Sequence, residues 1–220
     1  LKQIKEEQDA KQRMEIALLQ EQINPHFLYN TLYSISQLCE LKKTEKASEM
    51  LIALAAFYRI GLSKGKTIIT VKEELKHVKN YLFIQHFRYS DLFDYTIDCD
   101  EEILDCLIPK MSLQPLVENA IYHGLKYKES KGLLIIKGFP KDGNAVLQVI
   151  DDGVGMDEET LAHIYDRHKV NYHSNGVGVY NVQKRLKLYY GENYGITYES
   201  EKGVGTTATI TIPGIQEESI

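Results

Sequence analysis

The 220-residue sequence is short of three things that each mark a common function class: clustered cysteines, an excess of basic charge, and long apolar runs. Its three cysteines, Cys39, Cys99 and Cys106, are scattered without a C-x-x-C spacing. That pattern suggests neither a zinc site nor a disulfide framework and fits a reducing, cytosolic setting. Lys and Arg number 26 against 31 Asp and Glu, for a formal net charge of −5, and no basic block stands out locally. No nucleic-acid partner is expected. The longest apolar stretch, residues 51–62, is interrupted by Arg59 and falls well short of the ~20 residues that a membrane span needs. No signal peptide is visible. The sequence opens on Leu1 inside a helical pattern rather than on methionine, so a piece of a longer protein is expected, one making no membrane contact itself. A complete P-loop is missing too. Gly65-Lys66-Thr67 would need glycine where Ile60 stands, and no strand precedes it.

What is present begins with 43% hydrophobic residues, enough to core one large domain or two modest ones. Residues 1–23 are highly charged, with apolar positions that suit either an incoming coiled coil or a solvated helix with a narrow seam. In residues 20–30, His26 directly follows Pro25 inside a helical pattern. Proline lacks an N–H, crowds the carbonyl of Glu21 and biases Asn24 away from helix, so a kink or break is expected just before His26. Leu28, Leu32, Ile35 and Cys39 mark one apolar face. His26, Asn30, Tyr33 and Gln37 share another, where an imidazole is open to a reaction partner. A second helix is predicted over about 47–63, with Met50, Leu51, Leu54, Ala55, Tyr58 and Leu62 as its stripe. Such a hairpin cannot bury both stripes alone, which predicts a homodimeric four-helix bundle.

The pattern breaks at residues 63–66, the expected boundary between a segment 1–66 and a second domain over 67–220. Thr70 and Glu73 read as a capping box opening a helix to about Tyr89. An edge strand follows near 94–98, a helix over 112–127, and a hairpin of strands 133–139 and 145–150 around Lys141-Asp142-Gly143-Asn144. Helices near 158–165 and 177–190 and strands near 194–200 and 206–212 complete an α+β layer.

This second half repeats Gly-Val-Gly three times, at Gly153/Gly155, Gly176/Gly178 and Gly203/Gly205. The first pair follows an apolar strand and Asp151-Asp152. A carboxylate at a strand end can accept from a base amino group while glycines let backbone approach a ligand closely. The second pair opens a helix, whose free N–H groups suit phosphate. None completes a dinucleotide fingerprint: Glu158 and Asn181 occupy the final positions of the first two, and no helix follows the third, which has Ala208 there. Asn119, with Glu118 and His123 as polar neighbours, offers an amide oxygen of the kind Mg2+ accepts when phosphates and waters share it.

Asn24-Pro25-His26-Phe27-Leu28-Tyr29-Asn30, then residues 113–124, then Asp151-Asp152-Gly153-Val154-Gly155-Met156, then Gly176-Val177-Gly178 with Asn181 and Arg185, then Gly203-Val204-Gly205-Thr206 resemble the boxes of LytS/YesM-type sensor histidine kinases. The resemblance covers nearly the whole chain in the family's order. The Asn-Pro-His-Phe box is its most specific part; the glycine boxes alone mark the wider superfamily of gyrase, Hsp90 and MutL. It implies a dimerising phosphotransfer hairpin followed by a Bergerat-type ATP-binding α/β sandwich, the cytoplasmic portion of a membrane-bound bacterial sensor. In that scheme His26 is the phosphoacceptor, with Asn30 and Glu118 as further catalytic candidates. Asn119 is the Mg2+ ligand and Asp151 reads adenine. His123, Gly153, Gly155, Gly176, Gly178, Asn181, Gly203, Gly205 and Thr206 complete the ATP site, beneath a lid over about 166–176. The phosphoryl group then passes to an aspartate of a response regulator. Two positions depart from relatives. Phe27 stands where other subfamilies carry an acid, leaving Glu21 as the nearest substitute, and Tyr122 stands where lysine is common, leaving Arg185 or Lys184 to meet phosphate. Two alternative functions fit the same boxes. A hydrolytic ATPase would need glutamate where Pro115 stands, and a non-catalytic dimeric scaffold would not need Asn119 and Asp151 intact.

Overall fold

The structure, a computed structural model, describes residues 25–61, 67–164 and 176–214. The incoming helix over 1–23, Glu21, the break at 63–66 and residues 166–175 of the lid lie outside the described residues. The chain divides into two compact units, Leu1–Lys64 and Gly65–Ile220.

The first unit is a helical hairpin of α1 (Pro25–Glu40) and α2 (Thr44–Gly61). Pro25 occupies the first turn of α1, where its missing N–H leaves no intrahelical bond unmade. Lys42, with φ 57°, turns the chain between the helices, and Lys43 N–H donates to Leu38 O at 2.8 Å. The buried face differs from the expected stripe. Phe27, Thr31 and Leu38 of α1 pack against Ala47, Met50, Ala53, Leu54 and Phe57 of α2, with the Phe27 and Phe57 rings 5.1 Å apart. Thr31 joins this core because its hydroxyl donates to Phe27 O at 2.7 Å, which removes the cost of burying it. Leu32 of the expected stripe is 45% exposed and Cys39 is exposed too, as are Leu51 and Ile52 of α2.

The second unit is built on a mixed five-stranded sheet. Its elements are β1 (Ile68–Thr70), α3 (Val71–Arg88), β2 (Phe93–Cys99), β3 (Leu107–Pro109), α4 (Gln114–Asn119), β4 (Gly132–Lys141), β5 (Asn144–Asp151), α5 (Glu158–Ala162), α6 (Gly176–Tyr190), β6 (Gly195–Glu201) and β7 (Gly205–Pro213). The large sheet runs β2-β4-β5-β7-β6, parallel only between β2 and β4, with β2 on the edge. Strand alternation aims Phe93, Leu134, Ile136, Leu147, Val149, Ile196, Ile210 and Ile212 at the helices, where all are buried. Their strand neighbours Leu133, Lys137 and Thr197 are exposed on the other face. The result is the expected two-layer α/β sandwich.

Local chemistry explains the boundaries. Thr70 Oγ1 accepts from Glu73 N at 3.2 Å while Thr70 N donates to Glu73 Oε2 at 3.0 Å, closing the capping box. Asp142 (φ 51°) and Gly143 (φ 75°) form the two-residue turn joining β4 and β5, both in the left-handed region that a twisted hairpin turn demands. The helix expected over 112–127 is divided: after α4 the chain makes π-helical turns at Ala120–Gly124 and a 3-10 turn at Leu125–Tyr127. The short strands β1 and β3, which pair antiparallel, fall outside the sequence expectations.

Candidate ATP-binding site

In the second unit a cavity of about 610 Å³ opens between the helical layer and the sheet. Leu116, Asn119, Ala120, His123 and Gly124 line one side, Val149, Asp151, Tyr198, Thr206 and Ala208 another, and Gly155, Met156, Glu159, Thr160, His163 and Ile164 a third. Thus Asn119, His123, Asp151, Gly155 and Thr206, up to 87 residues apart in sequence, are gathered around one space.

Asp151 ends β5 with its side chain on the buried face, 5% exposed. Burial pushes its pKa up to about 6, opposed by the Gly153 N–H, which donates to Oδ1 at 2.9 Å. The π-helical turns press Gly124 onto this carboxylate so closely that a Cβ there would collide with it, and Gly153 packs on Gly124 from the other side. Gly124 O accepts from Val154 N at 3.2 Å. Gly155 has φ 61°, and a Cβ on it would strike Glu201 O. Gly203 N donates to Val154 O at 2.7 Å, and Gly205 (φ 141°) lies against the Asp151 carbonyl. The first and third glycine pairs therefore form one backbone cluster beneath the cavity. Glycine is needed there for close approach and for positive φ.

Asn119 ends α4, and its Oδ1 is buried without a hydrogen-bond partner. An unsatisfied acceptor in this position costs stability unless a ligand meets it. It is an oxygen donor of the kind Mg2+ takes alongside phosphates and water, so the residue fits the ion. His123 stands near the cavity mouth, its pKa held below the ordinary range by desolvation and then by Lys126.

The remaining candidates lie elsewhere. Gly176 and Gly178 open α6, and a Cβ on Gly178 would come within 3.2 Å of Pro115, so this glycine lets α6 approach α4. Neither glycine lines the cavity formed by the described residues, and Asn181 is exposed. Glu118 accepts from Gln114 on the side of α4 facing α3. Tyr122 turns the same way and accepts from Gln85 at 2.9 Å. Arg185 donates to Met111 O at 3.0 Å and Lys184 is exposed, and among the described residues neither lines the cavity. In the hairpin unit, His26 is exposed and Asn30 Nδ2 donates to its Nε2 at 2.9 Å, making Nε2 the lone-pair nitrogen.

Two contributors escaped the sequence. Ser200 Oγ accepts from Met156 N at 2.8 Å, donates to Gly205 O and contacts Thr206 Oγ1 at 2.9 Å, bracing both glycine loops. The alternation through Ile196 and Tyr198 would have placed it on the inward face. Glu74, fully buried, accepts from Leu113 N at 2.8 Å and Met111 N at 3.0 Å and so fixes the entry to α4.

Comparison with known proteins agrees with this geometry. Residues 14–93 match a family model described as histidine kinase. Residues 109–216 match one described as histidine kinase-, DNA gyrase B-, and HSP90-like ATPase. The sensor histidine kinase YesM of Bacillus subtilis is 39% identical over 199 residues, covering 90% of this chain and 33% of that protein. The sensor protein LytS of Oceanobacillus iheyensis is 38% identical over 178 residues, 80% of this chain and 30% of its own. The chain thus spans about a third of the length of these relatives. A solved histidine kinase domain from the blue-light activated kinase of Erythrobacter litoralis superposes with a TM-score of 0.51 at 18% identity, covering 90% of this chain and 92% of that one, a likeness of fold.

Proposed function

The chain belongs to the LytS/YesM-type sensor histidine kinases, and on that premise we propose that it binds Mg-ATP in the Asn119–Asp151 cavity and transfers the γ-phosphoryl group to His26. The observation that carries this reading is the pairing of an orphaned amide oxygen, Asn119 Oδ1, with a buried carboxylate, Asp151, across one cavity. Asp151 in its ionised form accepts a hydrogen bond from the adenine amino group. Asn119 would hold magnesium, which neutralises phosphate charge when bound. His26 Nε2 supplies the lone pair: a P–N bond forms, the bond from the γ-phosphorus to the bridging oxygen breaks, and ADP leaves. Asn30 orients the ring by its donation to that nitrogen in the resting state and must release it for attack. Accessibility of the imidazole and rigidity of the donor site then divide the labour between the units.

The same reading assigns residues 1–66 to signalling, dimerisation and phosphotransfer and 67–220 to catalysis. Leu32, Leu51 and Ile52, left exposed by the hairpin, form a dimer face, and burying each such side chain contributes roughly 1.5–3 kcal/mol. Leu32→Asp should therefore shift the sedimentation profile toward monomer; an unchanged dimer refutes this face. The final acceptor is an aspartate of a response regulator, and the whole protein is a membrane-bound sensor whose cytoplasmic part this chain forms. For the ATP site, Asn119→Ala is expected to remove the Mg2+-dependent gain in ATP affinity, and Asp151→Ala to weaken binding with or without Mg2+. Wild-type titrations for both variants would overturn the assignment.

A further inference from the structure

Behind α4, on the side away from the cavity, runs a buried chain of polar side chains tied to α3. His77, fully buried, contacts Gln114 Oε1 through Nε2 at 2.8 Å. Gln114 Nε2 donates to Glu118 Oε1 at 2.8 Å, and the Tyr81 hydroxyl also hydrogen-bonds Glu118. Gln85, fully buried, donates through Nε2 to Tyr81 Oη at 2.7 Å and to Tyr122 Oη at 2.9 Å. The direction of each bond is set by its chemistry. Since the Gln114 amide nitrogen faces Glu118, its oxygen must accept from His77, so the His77–Gln114 link leads toward the carboxylate. Burial raises the Glu118 pKa, and the Gln114 and Tyr81 donors pull it back.

Gln114 and Glu118 are four residues apart and so stand on one face of α4, while Asn119 lies ~100° further round the same helix. Gln114–Asn119 is a short helix whose first turn has no side-chain cap; Glu74 holds the chain just ahead of it and Leu116 and Val117 pack into the core, and the Gln114–Glu118 anchor adds the polar restraint on its roll. Anchoring one face therefore sets where the next residue aims. Among the described residues Glu118 does not line the cavity.

We propose that Glu118 is a positioning residue: through Gln114, Tyr81 and His77 it fixes the roll of α4 and thereby holds Asn119 Oδ1 toward the magnesium-bearing phosphates. This rests on the assignment of Asn119 to magnesium. A positioning role of this kind leaves a signature that neither a catalytic base nor a generic packing residue shares. It acts on the metal-dependent part of binding, and it vanishes once the residue it positions is gone.

The test titrates a fluorescent ATP analogue into the full chain with and without Mg2+. Variants are Glu118→Ala, Glu118→Gln, Gln114→Leu, Asn119→Ala and the Glu118→Ala/Asn119→Ala pair. Glu118→Ala should keep the Mg2+-free affinity while losing about tenfold of the Mg2+-dependent gain, the lower end for removing an outer-shell partner of a metal ligand. Glu118→Gln, whose amide oxygen can still accept from Gln114, should restore most of it. The double variant should be no worse than Asn119→Ala alone. Additive losses, or a full Mg2+ gain in Glu118→Ala, overturn the proposal. Should Glu118→Ala fail to fold, Gln114→Leu breaks the same chain one link away, and an undiminished gain there overturns it equally. If Asn119→Ala itself keeps the gain, the magnesium assignment is what fails, and the positioning role falls with it.

Discussion

In the hairpin unit the side chain proposed to react, His26, is exposed and held by one hydrogen bond from Asn30, whereas in the second unit Asp151 is 5% exposed and wedged between Gly124, Gly153 and Gly205. The two conditions suit opposite halves of one reaction. A nucleophile must leave its resting partner and meet an incoming phosphorus, so it gains from exposure. A site that selects adenine and aims phosphates gains from groups that cannot move, and it keeps them fixed by removing every Cβ that would intervene. The two units therefore tolerate change in different places. Substitution of the exposed His26 or its partner Asn30 should alter rate more than stability, and substitution around Asp151 should alter both.

Gly124→Ala strikes the Asp151 pocket most directly. Its Cβ would collide with a carboxylate that the Gly153 N–H already holds in place, and overpacking of this kind typically costs about 1–3 kcal/mol. Urea denaturation should show that loss together with weakened ATP binding. Gly143→Ala is the control. It meets nothing within 4 Å and carries only the strain of φ +75°, about 1 kcal/mol, with ATP binding untouched. Equal effects at the two glycines would remove the argument that the Asp151 pocket is tightly built.

A second, graded test uses pH. The Asp151 pKa is raised from an ordinary 3.8 to about 6 by burial, so the carboxyl favours the folded state below the unfolded pKa, and that benefit is lost as pH rises through about 6. Above it, the buried carboxylate weighs against folding by up to about 3 kcal/mol, two units at 1.36 kcal/mol each. Asp151→Asn should therefore melt higher than wild type at pH 8, converge with it near pH 4, and still bind ATP less well. A lower melting temperature at pH 8 would contradict the buried-carboxylate picture.

Much of this was legible in residues alone, and the exceptions have physical causes. Asp142-Gly143 announced a tight hairpin because few other pairs tolerate two positive φ values, and Thr70 and Glu73 announced a helix start by their spacing. β1 and β3 have three residues each, too few for a period of two to register. The stripe through Leu28 and Leu32 is apolar yet only half-buried at Leu28 and exposed at Leu32, because the hairpin's inner face is completed by Thr31, a polar residue satisfied by its own backbone. The π-helical turns left no mark, since Ala120 and Ile121 continue an α-helical pattern perfectly well; the contact that matters, Gly124 against Asp151, joins positions 27 residues apart. The glycine pairs were visible, but not that the first and third converge while Gly178 serves helix packing. His77 and Gln114 are 37 residues apart, and nothing local pairs them.

In the proposed reaction, phosphate from ATP in the Asn119–Asp151 cavity ends on His26. The most direct measurement is incubation with Mg2+ and γ-labelled ATP, followed by chemical characterisation of the labelled protein and of His26→Gln. An acid-labile, base-stable phosphoryl group is expected on wild type and none on His26→Gln, with ATP affinity the same in both. Label that persists in His26→Gln, or that survives acid as a phosphoester would, contradicts it.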